Sequence, residues 1–157
     1  MNNKVHKLSI IGATGRMGQM LVRAAQEKKD FQLVGLLEVN GHDLIGTKAC
    51  ELFPGLEKNL VVSDSLDKIL KISDVVIDFT NPENSVKVAE EAAKYKVVDV
   101  IGTTGFSKSQ IKKIQNFSKN TTIIRAGNMS LGVNILTGIS AKIAEALDTD
   151  FDIEIVE

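Results

Sequence analysis

Apolar runs and amphipathic stretches follow one another along this chain in regular succession. Leu8, Ile10 and Ile11 form the first run, which breaks at Gly12 into a turn carrying Gly15 and Gly18. The next stretch predicts a helix from about Arg16 to Lys28, with Met17, Leu21, Ala24, Ala25 and Lys28 along one stripe. Gln32–Glu38 predicts a second strand, apolar enough for burial on both faces. Val39–Asn59 is polar, contains Gly41, Gly46, Pro54 and Gly55, and predicts a long loop with one helical turn. Leu60–Val62 predicts a short strand, Ser65–Ile72 a short helix, and Asp74–Thr80 a central strand stopped by Asn81-Pro82. Beyond these come a helix over Glu83–Tyr95, a strand over Val97–Ile101, and a helix capped by Ser107 and reaching Ser118. A strand over Thr121–Ala126 leads to a long helix that turns Ile135, Ile139, Ile143 and Leu147 inward. Phe151–Glu157 alternates as a half-buried strand does.

Strands alternating with helices imply a Rossmann-like, doubly wound parallel α/β sheet with right-handed crossovers. The final strand runs to Glu157 with no turn after it and no antiparallel partner earlier in the chain. Residues 1–150 therefore read as a dinucleotide-binding domain, and 151–157 as the first strand of a second domain. Composition narrows the partners. At 157 residues, with 43% hydrophobic and 25% charged residues, the chain is large enough for a real core. A net charge of −1, no basic block and few aromatics disfavour nucleic acid as a partner. No apolar run has the length of a membrane span, and one cysteine, Cys50, permits no intrachain disulfide, so a cytoplasmic location is expected.

Candidate chemistry concentrates where predicted strands end. Gly12, Gly15 and Gly18 follow a strand and open a helix, the context of a nucleotide-binding turn. Gly12 permits the tight reversal, Gly15 leaves room for a pyrophosphate, and Gly18 lets helix and strand pack closely. Amides from about Thr14 to Met17 then face an anion at a helix N-terminus. Thr14 stands where the commoner G-x-G-x-x-G fingerprint has its second glycine. Glu38 closes the second strand 20 residues beyond Gly18, the place of an acid that binds the adenosine ribose hydroxyls. Phe79-Thr80-Asn81 and Gly102-Thr103-Thr104-Gly105 lie at the same edge, joined by Ala126-Gly127-Asn128. Arg16 is either a phosphate partner or a solvated first-turn residue. His6 and His42 read as surface histidines in a polar tail and a polar loop. No metal-ligand spacing and no nucleophile–base set stand out.

Four stretches occur together in this order: Gly12-Ala-Thr-Gly-Arg-Met-Gly18, Val76-Ile-Asp-Phe-Thr80, Val100-Ile-Gly-Thr-Thr-Gly-Phe106 and Asn128-Met-Ser-Leu-Gly-Val-Asn134. In combination they resemble the 4-hydroxy-tetrahydrodipicolinate reductase (dihydrodipicolinate reductase) family of lysine and diaminopimelate biosynthesis, over the whole chain. The resemblance implies NAD(P)H-dependent reduction of a small cyclic substrate. By position it implies that Gly12, Ala13, Thr14, Gly15, Arg16 and Met17 hold the pyrophosphate and Glu38 the adenosine ribose. Phe79, Thr80, Gly102, Thr103 and Thr104 would then flank the nicotinamide, with Ala126, Gly127, Asn128 and Met129 nearest the substrate and Thr104 also touching it.

Two departures matter. Arg125-Ala126-Gly127 replaces the family's Ala-Pro or Ala-Ala before Asn128. The family's His-His-Arg-x-Lys segment, which carries the general acid and substrate ligands, is absent, so no catalytic residue is assigned and the chain alone is expected to be inactive. Family members commonly carry Arg after the glutamate to meet a 2′-phosphate. Val39 stands there instead, so NADH is expected to be preferred over NADPH. The full-length protein is expected to be a homotetramer with a small-molecule substrate. The alternative is a stand-alone nucleotide-binding module without turnover.

Overall fold

Strand β1 (His6–Ile11) lies in the middle of a six-stranded sheet, its last three residues almost free of solvent contact. The computed structural model describes residues 4–147, 151–154 and 156. The chain divides into two compact units, Met1–Ala126 and Gly127–Glu157. In the first, β1 is followed by α1 (Arg16–Gln26), β2 (Phe31–Leu37), α2 (Ala49–Leu52), β3 (Val62–Ser63) and α3 (Leu66–Ile72). Then come β4 (Val75–Asp78), α4 (Pro82–Tyr95), β5 (Val98–Ile101), α5 (Lys108–Phe117) and β6 (Ile123–Arg125). All six strands pair in parallel in the order β3-β2-β1-β4-β5-β6, the doubly wound Rossmann arrangement.

Alternation along the strands sorts the core between two faces of the sheet. Leu8 and Ile10 join Leu36, Val22 and Ala25 in one cluster, while Ile11, Leu37, Val76, Ile69 and Val88 form another. The helix starts follow local chemistry. Asn81 accepts the Asn84 amide ahead of Pro82 at the start of α4, and Ser107 and Gln110 close a reciprocal capping box on α5.

Several expectations need correction. The buried stripe of α1 is Gly18, Val22 and Ala25, leaving Met17 48% and Met20 59% exposed. Close backbone approach at Gly18 sets the helix rotation, and that approach outweighs the count of apolar side chains. Only the C-terminal part of β2 is buried on both faces, since Phe31 and Gln32 are exposed at the end away from the turns. His6 belongs to β1, its amide donating to the Asp30 carbonyl, and so is not part of the polar tail.

In the second unit α6 (Leu131–Leu147) has no buried residue, and Ile135, Ile139 and Ile143 are about half exposed. A helix buries a face only against a second element, and the described residues of this unit supply none. Phe151–Glu154 and Val156 carry no strand pairing, because a lone strand has no ladder to join. Ile155 and Glu157 lie outside the described residues.

Candidate functional site

The topology reverses between β1 and β4, the place where open α/β sheets bind ligands. There the ends of β1, β2 and β4 enclose a cleft of about 380 Å³, lined by Gly12, Glu38, Val39, Thr80 and Asn81 among others. Each glycine of the first turn has its own cause. Gly12 has φ +70, a left-handed conformation, and a Cβ there would stand 2.8 Å from the Thr80 methyl. A Cβ on Gly18 would stand 2.0 Å from the Gly12 carbonyl oxygen and 2.7 Å from the Ala13 backbone. A Cβ on Gly15 would have one near neighbour, the Gly12 carbonyl oxygen at 3.3 Å. Gly15 stands at the uncapped N-terminus of α1, tight against the Gly12 carbonyl oxygen with no other neighbour within 4 Å, and no side chain bonds the first amides. Donors, dipole and clearance suit a diphosphate.

Glu38 is turned onto this loop. Its Oε1 accepts the Thr14 amide at 2.7 Å and the Thr14 hydroxyl at 2.8 Å. His42 Nε2 lies 3.4 Å from the same hydroxyl, while its Nδ1 accepts the Leu44 amide at 3.2 Å. That amide fixes the ring as the Nε2–H tautomer, which donates to Thr14 Oγ1. His42, read from sequence as a surface histidine, is half-buried and belongs to the loop's hydrogen-bond chain. Its position four residues after Glu38 was the available signal. Ala13 is fully buried beneath the loop, and Arg16 and Met17 are exposed on the first turn of α1.

The neighbouring turn is tied to buried acid. Asp78 Oδ1 accepts the Thr80 amide at 2.8 Å and hydroxyl at 2.6 Å, and Asn84 Nδ2 donates to the same hydroxyl at 3.0 Å. Phe79 lies over Gly102 so closely that a Cβ there would come within 2.0 Å of the ring. Thr103 is buried and its hydroxyl accepts from Ser85 at 2.9 Å, whereas Thr104 and Gly105 are exposed. Beneath these turns Asp78 and Asp99 are both buried on neighbouring strands. Neither Asp99 oxygen, nor Asp78 Oδ2, has a hydrogen-bond partner among the described residues. Burial, reinforced by the charge of Asp78, pushes the Asp99 carboxyl up to about 8, and burial raises Asp78 as well.

The structure thus gathers Gly12–Met17, Glu38, Phe79, Thr80, Gly102 and Thr103 at one sheet edge, with Ala126 bonded through its amide to the Ile101 carbonyl. Gly127, Asn128 and Met129 belong to the second unit. Within it, Asn128 Oδ1 accepts the Ser130 amide at 2.8 Å, and Asn134 donates to the Asn128 and Ser130 carbonyls. Lys87 and Asn84, which no sequence motif marks, also line the cleft. Among the described residues no group of three or more His, Cys, Asp or Glu could hold a metal, and no helix is long and apolar enough to cross a membrane.

A parallel 3-2-1-4-5-6 sheet, with a glycine turn at its switch point and an acid at the end of the second strand, defines a nucleotide-binding Rossmann domain. Comparison with known proteins narrows this class. The family model for dihydrodipicolinate reductase, N-terminus, matches residues 6–129, and the chain belongs to that family. It is 43% identical over 151 residues to the 4-hydroxy-tetrahydrodipicolinate reductase of Roseobacter denitrificans, covering 96% of this chain and 56% of that protein. The reductase of Ruegeria pomeroyi is 45% identical over 148 residues, covering 94% and 55%. The chain spans about half the length of these curated relatives.

Among solved structures, the dipicolinate-bound dihydrodipicolinate reductase from Paenisporosarcina sp. TG-14 superposes with a TM-score of 0.72 at 27% identity, over 89% of this chain and 54% of that one. A biliverdin reductase from Synechocystis shares the fold alone, with a TM-score of 0.66 at 15% identity over 93% and 44%.

Proposed function

We propose that this chain is the cofactor-binding part of an NAD(P)H-dependent reductase that converts 4-hydroxy-tetrahydrodipicolinate to tetrahydrodipicolinate in lysine and diaminopimelate biosynthesis. The observation that carries the reading is the cleft at the switch point, where an open-faced glycine turn meets the Glu38 carboxylate. Gly12–Met17 would hold the pyrophosphate at the start of α1, and Glu38 the adenosine ribose. Phe79, Thr80, Gly102, Thr103, Thr104 and Ala126–Met129 are proposed for the nicotinamide side, with Thr104 also meeting substrate. The cofactor supplies the hydride. The chain's own residues bind it and set which face it presents. On the family resemblance and the near-neutral charge, the full-length protein is proposed to be a cytoplasmic homotetramer without nucleic-acid or membrane partners.

Calorimetry tests the loop directly. The wild-type chain should bind NADH, and Gly15→Val, which puts a branched side chain where the pyrophosphate would lie, should weaken it at least tenfold. Unchanged affinity would remove the assignment. NADH should bind more tightly than NADPH by about 1–2 kcal/mol, the scale of one charge-assisted contact, because Val39 offers no cation to a 2′-phosphate. The 157 residues contain no His-His-Arg-x-Lys segment. By themselves they should therefore bind cofactor without turnover. An assay in which dihydrodipicolinate synthase supplies the unstable substrate would expose any substrate-dependent NADH oxidation.

A further inference from the structure

The cleft beside Glu38 has a second wall. Across from Glu38 and Val39, the start of α4 contributes Asn81, Glu83, Asn84 and Lys87. Lys87 is the only cation among the residues lining the cleft, and its Nζ lies 3.1 Å from Glu83 Oε1, one helical turn earlier. Glu83 sits in the first turn of α4, where the helix dipole favours its negative charge. The cleft therefore presents two carboxylates, Glu38 and Glu83, against one ammonium that Glu83 already neutralises.

We propose that Glu83 and Lys87 form a second cofactor-specificity element on α4, in which Glu83 holds the cleft's one cation away from a 2′-phosphate and so favours NADH. The inference rests on reading this cleft as the adenosine site. NADH and NADPH differ only by the 2′-phosphate, so a charged pair on the cleft wall acts on one and largely spares the other. Both side chains are well exposed, at 66% for Lys87 and 79% for Glu83, so replacing either leaves the core untouched. The exposure also places the effect in a screened setting, worth a several-fold change in affinity.

The experiment is calorimetry of the 157-residue chain with NADH and with NADPH, at about 0.1 M and 0.5 M salt. Glu83→Gln frees Lys87 and should tighten NADPH roughly three- to tenfold relative to NADH. Lys87→Met should weaken NADPH relative to NADH by a similar factor. Both changes should shrink at the higher salt, where charge–charge attraction is screened. A structural effect of either substitution would move both cofactors together and would not respond to salt. If the NADPH:NADH ratio stays constant in both variants while Val39→Arg shifts it, the α4 element is wrong and the adenosine reading stands. If the wild-type chain binds neither cofactor, both fall.

Discussion

The glycine turn after β1 and the Gly102–Gly105 turn after β5 stand at the same edge of the sheet but are held by different forces. The first is held by backbone contact and one accessible carboxylate. Gly12 and Gly18 pack without side chains, apolar Ile10, Ala13 and Val22 support them, and Glu38 ties down Thr14. The second rests on buried polarity: the Ser85–Thr103 hydroxyl pair and, beneath it, Asp78 and Asp99, the latter without a hydrogen-bond partner among the described residues. A turn packed backbone against backbone is intolerant of a methyl group. A turn resting on buried carboxyls is sensitive to their protonation.

Asp99 offers the largest break in this contrast. Burial keeps its proton on in the folded state up to about pH 8, while the unfolded chain releases it near the ordinary value of 3.8. The unfolded state thus binds fewer protons between these values. Asp99's contribution is whole below about pH 4, declines as pH rises towards 8, and flattens beyond. Its slope approaches about 1.4 kcal/mol per pH unit in the middle of that window. Asp99→Asn should abolish that slope. Urea unfolding at pH 5 and pH 7.5 should show the variant gaining on the wild type by a few kcal/mol between the two, and parallel curves would mean that Asp99 is solvated.

The glycine turn should fail in the opposite way. Gly18→Val should cost about 3 kcal/mol at any pH, because a Cβ would press on backbone that cannot move aside. Gly127→Ala, with nothing within 4 Å of the added carbon, should stay within about 0.5 kcal/mol. Equal losses at the two sites would refute the steric account of the first turn.

Gly102→Ala should have an intermediate effect, about 1–2 kcal/mol, since the atom it meets is the Phe79 ring, which can swing. In a double-mutant cycle with Phe79→Leu most of that cost should disappear, and additivity would show that the two do not touch. A further effect, on cofactor choice and not on stability, concerns the end of β2. Val39→Arg should narrow the NADH preference by about 1 kcal/mol, read as the ratio of the two dissociation constants at moderate salt.

The sequence alone determined the parallel doubly wound class, the glycine turn, Glu38 as the end of the second strand, the stop at Asn81-Pro82 and the cap at Ser107. Each of these is settled within a few residues, by periodicity, by the sterics of a turn or by a side chain reaching its own helix start. Only the tertiary structure decided which face of α1 is buried, because that depends on how closely Gly18 meets Gly12 across the turn. It also decided that His42 serves Thr14, that Lys87 shares a cleft with Glu38, and that Asp99 lies without a partner among the described residues. Asp99 in particular occupies a strand that reads as apolar on either side of it. Its isolation follows from the β4–β5 register, which sets it beside Val76. The apolar stripe of α6 is legible as a pattern, yet its exposure is not, because burial is a property of two surfaces and the sequence of a helix specifies only one.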